Sequence, residues 1–242
     1  MFDNDYKNDG DWGTALTSAD DDARRGFVRK VYGILAMQLL VTFGFVAFVK
    51  SDQELNDSMI DWWFLYIPAV IVQLTIWCVL LCCKNVARSV PTNYVLLGVF
   101  TLCWTYLLGF ICSLYPAGIV LLAAGFTAII TVTLSIYACV TSTDFTQMCG
   151  PFFCIGLLII ITVSMLCSIL SSIFITMTGE FYPFYTGFCI ILYGIYLLID
   201  TQLIVGGGRY ELSIDDYIIG AMIIYMDIVI LFIKLLELFG RR

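Results

Sequence analysis

Long apolar stretches separated by short polar breaks run through this chain, and they are too long for strands or for the helices of a small soluble core. Seven runs reach spanning length, near 31–49, 62–83, 93–113, 115–140, 151–175, 182–205 and 217–239. About 20 apolar residues in helical geometry cross a bilayer, so each run predicts a transmembrane α-helix. The narrowest division lies between the third and fourth runs, where Ser113, Tyr115, Pro116 and Gly118 supply a tight break. Without it the run from 93 to 140 would be more than twice the length of a crossing, so the break predicts a helical hairpin. The expected fold class is all-α, a polytopic seven-transmembrane-helix bundle over residues 24–242. Residues 1–23 are expected to form a disordered, solvated cytoplasmic tail, since polar residues and Gly10 and Gly13 dominate there.

Composition agrees with this setting. Hydrophobic residues make up 61% and charged residues 13%, against roughly a quarter charged in soluble domains. The tail carries seven aspartates against Lys7 and so accounts for nearly all of the formal charge of -7. Lys and Arg then set the orientation. Arg24, Arg25, Arg29, Lys30, Lys84, Arg88 and Arg209 fall on one side, which predicts a cytoplasmic N-terminus. Seven spans put the C-terminus on the opposite side, a placement that Arg241 and Arg242 oppose. The acidic start lacks the pattern of a secretory signal, and the first span is expected to direct insertion.

The chain has ten cysteines and no histidine. Most of the cysteines lie within apolar runs with no CxxC pair, the behaviour of small hydrophobes. The lack of imidazole excludes His-ligated zinc chemistry and the usual Ser-His or Cys-His nucleophile, and no enzymatic activity or cofactor is expected. Hydroxyl rows such as Thr101 and Thr105, Thr127, Thr131 and Ser135, and Ser164, Ser168 and Ser171 read as helix–helix packing. Trp62, Trp63 and Tyr66 fit an interfacial aromatic belt.

Two carboxylates stand apart. Asp200 and Asp227 lie inside the last two runs, where an ionised side chain costs roughly 2.5–3.5 kcal/mol even on a mild insertion scale. Tyr193, Tyr196 and Asp200 share one helical face, and Gly220, Asp227 and Lys234 share another. Gly220 permits close approach of a neighbouring helix. Lys234 is two helical turns from Asp227, too far for a direct pair. The glycines Gly206, Gly207 and Gly208 read as a helix stop, not as a phosphate loop. Ser213-Ile214-Asp215-Asp216 reads as a helix N-terminus, with Asp215 and Asp216 in cap and dipole roles. The short connection makes the last two helices neighbours. If the aspartates face one another they share a proton and titrate as a unit, or offer oxygens to Ca²⁺. The plainer reading, in which they bond backbone or tyrosines and fix the bundle, stays open.

The segment YLLIDTQLIVGGGRYELSIDDYIIGAMIIYMDIVILFIKLLELFG resembles the C-terminal signature of the transmembrane Bax inhibitor motif family. RRGFVRKVYGILAMQLLVT, VPTNYVLLGVFT and TDFTQMCG are similar to its lifeguard branch, also called glutamate-receptor-associated. The resemblance implies a pH-sensitive calcium leak from intracellular stores and a role in restraining cell death. It implies that Asp200 and Asp227 form a hydrogen-bonded gate, with calcium as permeant or regulatory ion. It also implies a basic latch onto Asp200 from the end of span two, for which Arg88 and Lys84 are the candidates. Guanidinium geometry favours Arg88. The competing expectation is a non-conducting membrane adaptor acting through protein partners of cell-death or calcium pathways. The lipid bilayer is the expected environment, endoplasmic reticulum or Golgi ahead of plasma membrane, with no nucleic-acid partner.

Overall fold

The computed structural model describes residues 9–148, 182–206 and 211–240, and every regular element among them is helical. In chain order these are α1 (Asp9–Ser51), α2 (Gln53–Asp61), a 3-10 turn (Trp63–Leu65), α3 (Tyr66–Cys82), α4 (Lys84–Arg88) and α5 (Thr92–Ser113). They continue with α6 (Ala117–Val140), a 3-10 turn (Phe145–Met148), α7 (Tyr182–Val205) and α8 (Tyr217–Phe239). Six of these segments are long and apolar enough to cross a membrane, among them Asp22–Ser51 of α1 and Trp63–Cys82. The chain is a polytopic helical integral membrane protein. The predicted span 151–175, with Ser164, Ser168 and Ser171, lies outside the described residues, so six of the seven predicted spans are seen among those described.

The other boundaries agree with the apolar runs to within a few residues, except at the start. Helix α1 begins at Asp9, so the segment expected to be disordered is helical from that residue. The run from Asp9 to Ser51 contains no proline, and Ala15, Leu16, Ala19 and Ala23 favour helix. Acidic residues are also favoured near a helix N-terminus, where the backbone dipole is positive.

The third and fourth predicted spans are two separate helices joined by a tight turn, but they do not pair as a hairpin: α6 packs on α7 and α8, and α5 on α1 and α3. Pro116 occupies the N-cap of α6 with extended backbone, and Tyr115 donates its amide to the Cys112 carbonyl at 3.1 Å to close the turn. Lys50 reaches this turn from α1, donating to the Tyr115 carbonyl at 2.8 Å and to Asn56 Oδ1 at 2.7 Å.

Helix α8 is the axis of the bundle, packed by α1, α5, α6 and α7. Its membrane window is 89% buried, whereas those of α6 and α3 are 17% and 22% buried. The outer helices turn Leu40, Leu102, Leu121, Val140 and Ile191 outward. Such residues suit hydrocarbon, because lipid tails are as apolar as a leucine side chain. Inside, a polar seam links three helices: Gln38 Nε2 donates to Thr101 Oγ1 at 2.9 Å, and Thr42 meets Thr105 at 3.1 Å and the Tyr225 hydroxyl at 2.8 Å. Thr101 and Thr105 therefore act as the packing residues the sequence suggests.

Candidate functional site

Asp200 occupies the last turns of α7 on the face that carries Tyr193, Leu197 and Ile204, all of them buried. Asp227 lies midway along α8. The two residues are 1% and 2% exposed, and their carboxyl groups come within hydrogen-bonding reach of each other across the α7–α8 contact. Among the described residues, no other group donates to either oxygen of Asp200 or to Oδ2 of Asp227. Two adjacent negative charges in an apolar interior repel strongly, and either a proton between them or a cation on their oxygens relieves the repulsion.

The supporting face is arranged differently from the sequence expectation. Tyr193 is buried and Tyr196 half-buried, with ring centroids 6.4 Å apart, yet neither donates to Asp200. The reading in which tyrosines hold this carboxyl is therefore not what the geometry gives. Gly220 does permit close packing. A Cβ there would stand 3.2 Å from Leu212, 3.4 Å from Val31 and 3.5 Å from Ile204, so two helices and a loop converge on its bare backbone. Lys234 donates to Glu237 at 2.9 Å, farther along α8 from the pair.

The expected latch from Arg88 to Asp200 is not formed. Arg88 instead grips Asp216 bidentately, Nε to Oδ1 at 2.7 Å and Nη2 to Oδ2 at 2.8 Å, and the carboxylate holds the guanidinium above its ordinary pKa. Asp216 occupies the N-cap of α8, but its side chain makes no cap bond because both oxygens go to Arg88. The planar fork fits a carboxylate at this reach better than it could a residue well inside the bundle. Lys84, the other latch candidate, is exposed.

A second arginine grips the same connection. Arg24, on α1, pairs with Glu211 at 2.5 Å and donates to the Leu212 carbonyl at 2.6 Å. Gly206 ends α7 at φ +81, the left-handed stop expected of a glycine, while Gly207 and Gly208 lie outside the described residues. Gln202 fixes the loop after α6, donating to the Thr143 carbonyl at 3.0 Å and accepting from the Phe145 amide at 2.9 Å. Sequence reasoning missed Arg24, Gln202, Gln38, Thr42 and Tyr225 as contact residues. Each pairs with a residue far away in the chain, and nothing local to any of them marks a distant partner.

Among the described residues no cluster of three or more Cys, Asp or Glu side chains could hold a metal.

Comparison with known proteins gives consistent matches over the membrane region. The family described as inhibitor of apoptosis-promoting Bax1 matches residues 24–242. Protein lifeguard 3 of Homo sapiens is 30% identical over 225 residues, covering 92% of this chain and 71% of its own length. The Mus musculus protein of that name is 31% identical over 225 residues with the same coverage, 92% and 71%. Protein LIFEGUARD 4 of Arabidopsis thaliana is 32% identical over 224 residues, covering 90% of this chain and 85% of its own length.

Proposed function

Because this chain belongs to the Bax inhibitor and lifeguard family, which is tied to the regulation of apoptosis, we propose that it is a pH-sensitive calcium leak channel of intracellular membranes, gated by Asp200 and Asp227. The observation that carries this reading is the mutual approach of two buried carboxyl groups, three of whose oxygens have no other partner among the described residues. A shared proton would bridge α7 to α8 at this depth. Its loss or replacement changes the force between the helices, which is what a proton-sensitive gate needs. A passing Ca²⁺ competes for the same oxygens.

The Arg88–Asp216 pair takes the latch role in this scheme, holding the entry of α8 against α4. The scheme has the seven spans expected from the sequence, with the N-terminus cytoplasmic and the membrane that of the endoplasmic reticulum or Golgi. Calcium handling of this kind would support restraint of cell death.

The test is calcium flux into liposomes containing the purified protein, measured over a range of pH. The native chain is expected to conduct with a pH-dependent rate, and Asp200→Asn and Asp227→Asn are each expected to abolish that pH dependence. Flux at the level of empty liposomes would sink the channel reading and favour a non-conducting adaptor. Flux with an unchanged pH profile in both variants would sink the gate.

A further inference from the structure

Most of the cations among the described residues meet acceptors within the protein. Arg24 pairs with Glu211 and donates to the Leu212 carbonyl, and Lys50, Arg88 and Lys234 donate to Asn56, Asp216 and Glu237. Arg29 and Lys30 of α1 differ, as does the exposed Lys84 of α4. The two on α1 are placed toward the surface, and among the described residues neither takes part in an ion pair, although Lys30 stands 5.3 Å from the ring centre of Tyr217. They line the mouth of a groove of about 620 Å³ between α1 and α5. That volume is within the range usual for ligand sites.

Gly33 and Gly98 line the groove, and a Cβ on either would meet nothing within 4 Å, so the space beside them is open. Below the cations the walls are largely apolar, with Met37 and Val41 among the lining residues. Helical rise puts Val41 about 16 Å beyond Lys30, close to the ~15 Å depth of one hydrocarbon leaflet. Two cations at the surface and one leaflet-deep apolar channel beneath them match a single class of molecule.

We propose that the α1–α5 groove binds an anionic glycerophospholipid, its phosphate and head group on Arg29 and Lys30 and one acyl chain lying along Gly33 and Gly98. Guanidinium and ammonium groups recognise phosphate by charge-assisted hydrogen bonds, and the two cations attract a head of net negative charge more strongly than a zwitterionic head, whose charges sum to zero. The long stems of both side chains let the charges stay at the interface while their methylenes cover the groove mouth. This assignment is independent of whether the protein conducts.

Native mass spectrometry of the purified full-length chain, exposed to equal amounts of phosphatidylserine and phosphatidylcholine in detergent, tests it. One phosphatidylserine per chain is expected to be retained in preference. The double variant Arg29→Gln with Lys30→Gln should lower that preference about 30-fold, as expected for two cations at a membrane surface. Gly98→Leu, which fills open space and leaves every charge in place, should remove retention of both lipids. Arg25→Gln, outside the groove, should change neither. Equal retention of the two lipids by the native chain overturns the proposal. So does a preference that survives Gly98→Leu, because the cations would then act as diffuse surface charge and not as the head of a built groove.

Discussion

Asp216 shows how one side chain can be read correctly for position and wrongly for partner. Its sequence context marks the start of α8, and the helix does start there, but the carboxylate serves Arg88 and leaves the cap unmade. Because Arg88 is held above its ordinary pKa, the stability its charge contributes is present below that ordinary value and is lost only as the pH rises through the raised one. The difference in thermal midpoint between the native chain and Arg88→Gln is therefore expected to stay constant from about pH 6 to 9. A steep change in that window would show that a group other than Arg88 governs the contact. Gly220 gives a second prediction at this scale. Leucine there must displace Leu212, Val31 and Ile204, costing about 1–3 kcal/mol. Alanine meets only flexible side-chain ends, the nearest at 3.2 Å. It also gains helix propensity of up to about 1 kcal/mol, so the two variants should separate clearly in a detergent melt.

Helix boundaries were largely legible because a bilayer imposes length and breaks in an apolar run must mean turns. Pro116 marked the turn between α5 and α6, and Gly206 marked the end of α7. The order of burial was not legible. In a soluble protein an amphipathic stripe points inward, but here α6 is mostly uncovered and α8 faces protein with similarly apolar surfaces. What distinguishes α8 is sparse: Gly220, Tyr225 and Asp227, whose partners lie on other elements. The seam around Thr42 can be measured directly. Thr42→Val removes contacts to both Thr105 and Tyr225, and is expected to destabilise the bundle by about 1 kcal/mol, in line with interhelical hydrogen bonds in membranes. Tyr225→Phe removes only one of them and should cost less. Equal costs would mean that the Thr42–Thr105 contact contributes nothing.

At the scale of the whole molecule, the connection from Gly206 to Asp216 is gripped from two directions, by Arg24 of α1 and by Arg88 of α4. The proposed seventh span makes a topological prediction. Tags placed at the two ends of the chain should be reached by protease from opposite faces of a sealed vesicle, whereas accessibility from one face would show that 151–175 does not cross. The placement of α8 carries a consequence for how the protein is made. Synthesis runs from the N-terminus, so the helix that fills the centre leaves the ribosome after every other helix described. Until then Thr42 lacks Tyr225, Asp200 lacks Asp227 and Arg88 lacks Asp216. The earlier helices must therefore wait in the membrane with polar faces uncovered, an arrangement that membrane quality control can recognise. Arrival of α8 is what joins these inserted segments into one bundle.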